Sequence, residues 1–478
     1  MTFKITSFTK TFLFPFILSL ALTACKEEKK IEIAQETVSP FAQADSIIKS
    51  IIVPTFQDKT FDILEFGAVE GGETNNSEAF KSAIQACSEA GGGRVWVPSG
   101  KYLTGPIHLK SNVNLHLEEG AEVLFSKNKA DYLPVVHTSY EGVELMNYSP
   151  LIYAYKEKNI AVTGKGTFNG QADKSNWWPW CGAERYGHKE GEPQQRDEQN
   201  LPRLRKMNED AVPFSERVFG EGHQLRPSFF QPFECENILV QGITFTNAPF
   251  WVMHPIKSIN ITVDGVTVSS HGPNNDGCDP EYSKNVHIKN CVFDTGDDCI
   301  AIKSGRNDEG RRINIPSENI VVEDCEMKDG HGGVVMGSEI SAGVRNVFVR
   351  NCRMNSPELE RAIRIKTNTL RGGFVENVYV KNIQVGQVKE AVLKINTYYG
   401  IYDKQEGKYI PSIKNIYLKN IDVENGGKYG VLIQGREEKP VQNVTLKNVH
   451  IKRAETPMLI ENSEPILFEN VSINEEKM

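Results

Sequence analysis

The sequence predicts an all-β solenoid, a right-handed parallel β-helix with one short helix near its N-terminus. Two observations carry this. A unit that opens on Asn and continues as an alternating apolar run starts at Asn112, Asn159, Asn237, Asn260, Asn285, Asn319, Asn346, Asn377, Asn415 and Asn443. Within each copy the alternation has the two-residue period of a strand, and no helical period separates the copies. The tightest spacings, 23 residues from Asn237 to Asn260 and 25 from Asn260 to Asn285, suit one solenoid turn; longer ones imply inserted loops. Asn suits the corner at the head of each run because it tolerates left-handed backbone and bonds locally. A β-propeller would need longer, four-stranded repeats.

The N-terminus reads as a targeting segment. Lys4 and Lys10 precede an apolar run from Phe12 to Leu22, which ends in Leu22-Thr23-Ala24-Cys25. The order is secretory, and the run is too short to span a bilayer. The Leu-Thr-Ala-Cys ending resembles a bacterial lipobox. That resemblance implies a signal peptide over residues 1–24 and lipidation of Cys25; a simple cleaved signal peptide is the alternative. Residues 25–58 are expected to be tether and leader, with Lys26 to Lys30 solvated and Gln35 to Pro54 a leader or short helix. Residues 59–478 are expected to form the β-helix domain. The expected location is the cell envelope, with a lipid anchor as the only membrane contact.

Phe61 to Ala68 reads as a strand and turn. Ala79, Phe80, Ala83, Ile84 and Cys87 are spaced for a helix between Asn75 and Ala90, with Ser77 near its cap. Gly91-Gly92-Gly93 lacks the spacing and the following Lys of a phosphate loop, so it reads as a tight turn. Arg94 to Pro98 is a strand and Gly100-Lys101-Tyr102 a turn. The stretch at about 170–228, Gly170 to Pro227, breaks the repeat and is too long for an ordinary loop. Such insertions project from one face of a solenoid, often the binding face. Its Trp177, Trp178 and Trp180 either stack on ligand rings or pin the insertion down.

The net charge of −8 argues against nucleic acid or anionic lipid as the main ligand, but not against an acidic ligand in a local basic pocket. Eight cysteines remain besides Cys25. An exported protein could pair them. Cys291, Cys325 and Cys352, however, recur at one position of the repeat, which predicts a buried ladder of free thiols. No CxxC pair or His-Cys cluster gives metal spacing, so neither metal nor cofactor is expected. A solenoid of this kind is expected to work as a monomer.

Asn274 to Lys303 crowds Asp276, Asp297 and Asp298 into one window. Carboxylates this close repel one another, and burial raises their pKa values. A polar turn that binds calcium or nothing is the plain alternative. Glycoside hydrolysis gives the crowding a purpose, because it needs one protonated and one ionised carboxyl facing the same bond. Aligning coils on the polar residue that closes each strand (Ser283, Ser304, Ser338, Thr367) and counting back seven gives Asp276, Asp297, His331 and Glu360. These are predicted to stack in one column, with coils about 4.8 Å apart. Asp298 is adjacent, and Arg364-Ile365-Lys366 alternates so that two cations share one side. Carboxylates, His and paired cations suit an anionic sugar.

Four motifs in this order resemble the polygalacturonases, glycoside hydrolase family 28: Asn274-Asn275-Asp276, Gly296-Asp297-Asp298, Gly330-His331-Gly332 and Arg364-Ile365-Lys366. Asn275 stands where the family has Thr, and Gly333 where many fungal members have Leu. The run from Gly332 to Glu339 is more similar to the bacterial exo-acting branch. The resemblance covers essentially the whole chain from Phe66-Gly67-Ala68 onward. It implies a pectin-lyase-like β-helix that hydrolyses α-1,4-linked galacturonic acid in pectic polysaccharide or oligosaccharide with inversion, here from a chain end. It implies Asp297 as general acid, its proton held by its carboxylate neighbours, and Asp276 and Asp298 as the groups that position and deprotonate water. His331 would support Asp297; Arg364 and Lys366 would bind the sugar carboxylate. Tyr399 (or Tyr398) and Asn274 would touch sugar. For His254, Lys303 and Arg226 a structural role is equally open. Release of galacturonate from rhamnogalacturonan oligosaccharides is a second hydrolytic reading. β-Elimination and non-catalytic sugar binding are the readings from other classes.

Overall fold

The computed structural model describes residues 40–400 and 407–478. The targeting segment and Cys25 lie outside the described residues. No helix among the described residues is long and apolar enough to cross a membrane.

The repeat units stack as a right-handed parallel β-helix. Strands Gly93–Val97, Val113–Leu117, Lys158–Gly164, Glu236–Gln241, Ile259–Asp264 and Lys284–Lys289 pair in parallel, each on the next. The row continues through Ser317–Glu323, Val344–Arg350, Phe374–Gln387, Ser412–Asn425, Gln442–Ile451 and Leu467–Ile473. Alternate residues of these strands point inward and form one continuous apolar core along the axis.

The predicted corners are where the fold is best explained. Each of the ten repeat asparagines has φ between 51° and 64°. Each side-chain amide after the first donates to the Oδ1 of the preceding asparagine, at 2.8–3.3 Å, from Asn159→Asn112 through Asn443→Asn415. Asn is needed twice over, for the left-handed backbone and for a side chain that both donates and accepts. A second ladder, Asn351, Asn382, Asn420, Asn448 and Asn470, runs along the C-terminal coils at 2.9–3.1 Å.

Other expectations are refined. The short helix expected between Gln35 and Pro54 forms as α1 (Pro40–Ser50), and it is docked: Phe41, Ala44 and Ile47 pack on Val321 and Phe348 of the solenoid's outer wall. Helix α2 (Ser77–Glu89) buries all five predicted apolar residues; its N-cap is Asn76, and Ser77 is its first residue. Gly100–Thr104 is a strand, not a turn, because it pairs with Ala121–Phe125 and sends Tyr102 into the core. All eight described cysteines are free and buried. Val292, Glu326 and Arg353 are register partners, so the preceding Cys291, Cys325 and Cys352 stack as predicted.

The insertion folds onto the body as three 3₁₀ turns and helix α3 (Leu201–Glu209). A hairpin, Val136–Tyr140 with Val143–Asn147, leaves the coils before it. Its tip, Glu141-Gly142 at φ 47° and 81°, is a two-residue turn of the kind that x-Gly between alternating runs announces, a signal the sequence reading passed over. Hairpin and insertion share a small core of Tyr140, Leu145, Leu201, Leu204, Phe219 and Trp251. Trp177 is buried edge-on to Tyr132, and Trp178 Nε1 donates to Ala248 O at 2.9 Å, so both pin the insertion.

Candidate active site

The site lies on the first four strands of a six-stranded sheet, Ile300–Ile302, Val334–Gly337, Arg361–Lys366 and Ala391–Asn396. Ile363 and Ile365 enter the core, which turns Arg364 and Lys366 outward, as the alternation predicted. Register partners Ile300, Val334 and Ile363 keep Asp297, His331 and Glu360 in one column. Asp276 departs from the prediction. Cys278 pairs with Ile300 and Glu281 with Lys303, which sets Asp276 level with Asp298 and not Asp297. The cause is one extra residue in that coil: Tyr282, at φ 51°, stands between the strand and its closing Ser283.

The carboxylates converge all the same. One oxygen from each of Asp276, Asp297 and Asp298 lies within 4.8 Å of the others. Such a trio has the geometry to hold a cation, but positive charge is already supplied by the protein. Lys366 Nζ is 2.6 Å from Asp298 Oδ2, Arg364 is 3.6 Å from Asp298 Oδ1, and Lys303 Nζ is 3.5 Å from Asp276 Oδ2. Gly337, at φ 116°, makes room for Lys366, since a Cβ there would lie 2.0 Å from Lys366 O. Asp276 and Asp298 each keep a buried Oδ1 without a hydrogen bond inside the protein, and of the two only Asp276 lines the cleft.

His331 Nδ1 is 2.9 Å from Asp297 Oδ1. Burial alone would raise the Asp297 carboxyl. The charge and hydrogen bond of His331, with Lys366 and Lys303 behind them, outweigh burial and hold it well below the usual carboxylate range. His331 is pushed up to about 9, first by the Asp297 charge. The expectation that Asp297 stores the proton is therefore not met in the free protein; the pair holds its proton on His331. Burial, then the charges of Asp279 and Asp297, push Asp276 well above the usual range instead. Asp279, fully buried behind it, is raised in the same way, burial first.

The cleft has a volume of about 270 Å³. Asn274, Lys303, Arg364, Lys366 and Tyr399 line it with Asp276, Asp297 and His331; Asp298 is fully buried behind them and does not line it. The Tyr399 ring lies 5.5 Å from the Arg364 guanidinium and 5.4 Å from Lys366 Nζ and lines the cleft, whereas Tyr398 is half-exposed and stacked on Arg436. Asn274 Oδ1 accepts from Arg226, itself buried and bonded to Pro249 O and Pro273 O, so Arg226 is a support. His254 does not reach the cleft. It is fully buried, 2.8 Å from Glu281 and edge-on to Trp251, and its role is structural.

Sequence reasoning missed Trp251, Glu339, Arg306 and Arg371, which line the cleft as well. Lys303 Nζ sits 4.3 Å from the Trp251 ring centre and 3.6 Å from Glu339. Glu339 directly follows the closing Ser338, so the column count could have found it. Glu141 of the hairpin tip and Arg205 of α3 come from non-repeating segments, for which the repeat gives no signal. Arg306 and Arg205 meet Glu141 at 2.8 and 3.6 Å and close one side of the cleft.

The comparisons agree with this geometry. Residues 217–472 match the family described as "Glycosyl hydrolases family 28", and residues 60–118 match "Rhamnogalacturonase A/epimerase, pectate lyase-like". The chain is similar to the crystal structure of a hyperthermoactive exopolygalacturonase from Thermotoga maritima, with 44% identity, a TM-score of 0.88, and coverage of 92% of this chain and 97% of that one. It is 28% identical to a probable polygalacturonase of Vitis vinifera, over 82% of this chain and 74% of the relative. It is 27% identical to an exo-poly-α-D-galacturonosidase of Dickeya chrysanthemi, over 80% of this chain and 65% of the relative. A right-handed β-helix with its carboxylates, His and Arg-x-Lys cations in one cleft, matched over more than half its length, identifies the chain as a member of glycosyl hydrolase family 28.

Proposed function

We propose that the protein hydrolyses α-1,4-linked galacturonic acid in pectic polysaccharide and oligosaccharide, releasing sugar from a chain end. The observation that carries this is the convergence of Asp276, Asp297 and Asp298 within 4.8 Å under Lys303, Arg364 and Lys366. A uronate carboxylate entering the cleft takes its grip from Arg364, two-pronged, and Lys366. That anion also competes for the cations that hold Asp297 ionised. Its charge raises the carboxylate pKa, and the proton on His331 returns to Asp297 across their 2.9 Å contact. Asp297, with 18% of its side chain exposed, then protonates the glycosidic oxygen. Asp276, which lines the cleft, orients the attacking water and the Asp276–Asp298 pair takes up the proton that the water loses, with Asp298 behind it holding Lys366 and Arg364.

Attack from a chain end is supported by the side wall of Glu141, Arg205 and Arg306. Inversion is what the resemblance implies, although the carboxylates lie closer than the roughly 6.5–9.5 Å usual for inverting pairs. The lipobox-like segment supports anchoring through Cys25 in the cell envelope.

Incubation with polygalacturonate, its oligomers and rhamnogalacturonan fragments tests the reading through the first products. Monomer from the start is expected; a ladder of oligomers means internal cleavage, and an ultraviolet-absorbing product means elimination. Proton NMR of the first product is expected to show the β-anomer. Asp297→Asn is expected to lower turnover about a thousandfold while sparing binding; unchanged turnover overturns the assignment.

A further inference from the structure

The insertion carries a second cavity that the hydrolysis does not use. It measures about 540 Å³ and is lined by Lys129, Lys174, Lys189, Trp180 and Glu192. The Lys129 ammonium lies 4.5 Å from the Trp177 ring centre and 5.7 Å from that of Trp180. Its hydrogen bonds go to neutral acceptors, Asn176 Oδ1 and Lys127 O. The nearby Asp173 is taken up by Lys127 at 3.3 Å. Among the described residues no carboxylate lies within ion-pair distance of Lys129, Lys174 or Lys189. Burial, as the largest influence, lowers Lys129 to about 8, as befits an ammonium short of a counter-ion. Glu192, the only acid lining the pocket among the described residues, accepts from the Lys189 backbone.

Gly187 lines this cavity, and its chain neighbour Tyr186 lies near enough to Asp297 to feel its charge, though burial is the larger influence on the phenol.

We propose that this pocket binds a hexuronate of the substrate class, its carboxylate against Lys129, Lys174 and Lys189 and an apolar ring face on Trp180. The proposal rests on the function reading for the identity of the sugar, and on the unpaired lysines beside an indole for the site. Sugar faces stack on indole, and a carboxylate supplies the charge that the lysines lack. The uronate belongs either to the chain held in the cleft or to a second chain.

The test is calorimetry, with tryptophan fluorescence alongside, on the full chain carrying Asp297→Asn, using digalacturonate, hexagalacturonate and galactose as probes. Lys129→Gln, and separately Lys174→Gln with Lys189→Gln, are the variants; the second pair is exposed and leaves the packing intact. If one chain runs from cleft to pocket, both variants weaken hexagalacturonate about tenfold and leave digalacturonate within twofold. If separate chains bind, the parent takes up two digalacturonates and the variants one. Galactose is expected not to bind the pocket in either case. Unchanged affinity and stoichiometry in both variants overturn the proposal. Absence of pectic hydrolysis by the wild-type chain would strike the function reading alone, because neither readout needs turnover.

Discussion

His331 and Asp297 exchange charge with pH in a direction that can be worked out. His331 is raised to about 9, so its stabilising contribution is full below its ordinary value near 6.5 and is lost as pH rises through about 9. Asp297 is depressed, so its contribution is present above about 3.8 and is lost as pH falls further. Wild type is therefore expected to exceed His331→Gln in unfolding free energy most clearly between about pH 4 and 6.5, with the gap closing toward pH 9. Because the imidazole is 41% exposed, screening limits the difference to about 1 kcal/mol. Urea titrations at three pH values measure it; a gap that widens with pH is incompatible with the charged pair. Lys366→Ala removes the 2.6 Å partner of Asp298 and half of the uronate grip. It is expected to raise KM at least tenfold, as read from initial rates on oligogalacturonates.

The asparagine corners set the cost of change at the level of strands and turns. Asn319 donates to Asn285 at 3.1 Å, accepts from Asn346 at 3.1 Å and sits at φ 60°. Asn319→Ala loses both bonds and keeps the left-handed backbone, so a loss of about 2–3 kcal/mol is expected. Asn319→Gly relieves the backbone and should lose less, and chemical denaturation ranks the two. These corners were legible because every coil repeats the demand. Asp297, His331, Arg364 and Lys366 were legible for a related reason, since a constant count back from the residue that closes each strand converts sequence spacing into a column even where coil lengths differ. Asp276 slipped because Tyr282 adds one residue to a single coil, a change no period reveals. Glu141, Arg205 and Arg371 reach the cleft from segments outside the repeat, where only the folded chain sets neighbours. The Asp297 charge state was misjudged because its sign depends on a 2.9 Å contact weighed against burial. Gly333 shows that one departure from the family pattern is required here: a Cβ would lie 2.8 Å from both Ala362 O and Met354 Cε.

At the scale of the whole molecule, the core is one uninterrupted column, and seven of the eight described cysteines belong to it, Cys181 being buried in the insertion. A thiol reagent is expected to label none of the eight described cysteines in the folded protein and all eight in denaturant, by mass spectrometry. Reductant is expected to leave the melting temperature unchanged; a fall on reduction would show that the thiols pair.

Helix α1 bears on how the polypeptide is made. Asp45 pairs with Arg350 at 2.7 Å across 305 residues of sequence, and Phe41 rests edge-on to Phe348. At ordinary elongation rates of about 5–20 residues per second, roughly 15–60 s separate the two halves of that contact at the ribosome. Throughout that interval the helix has an apolar stripe and nowhere to lay it, while the coils assemble one after another. The earliest part of the described chain to be synthesised is thus among the last to find its seat, and it closes over coils that have already stacked.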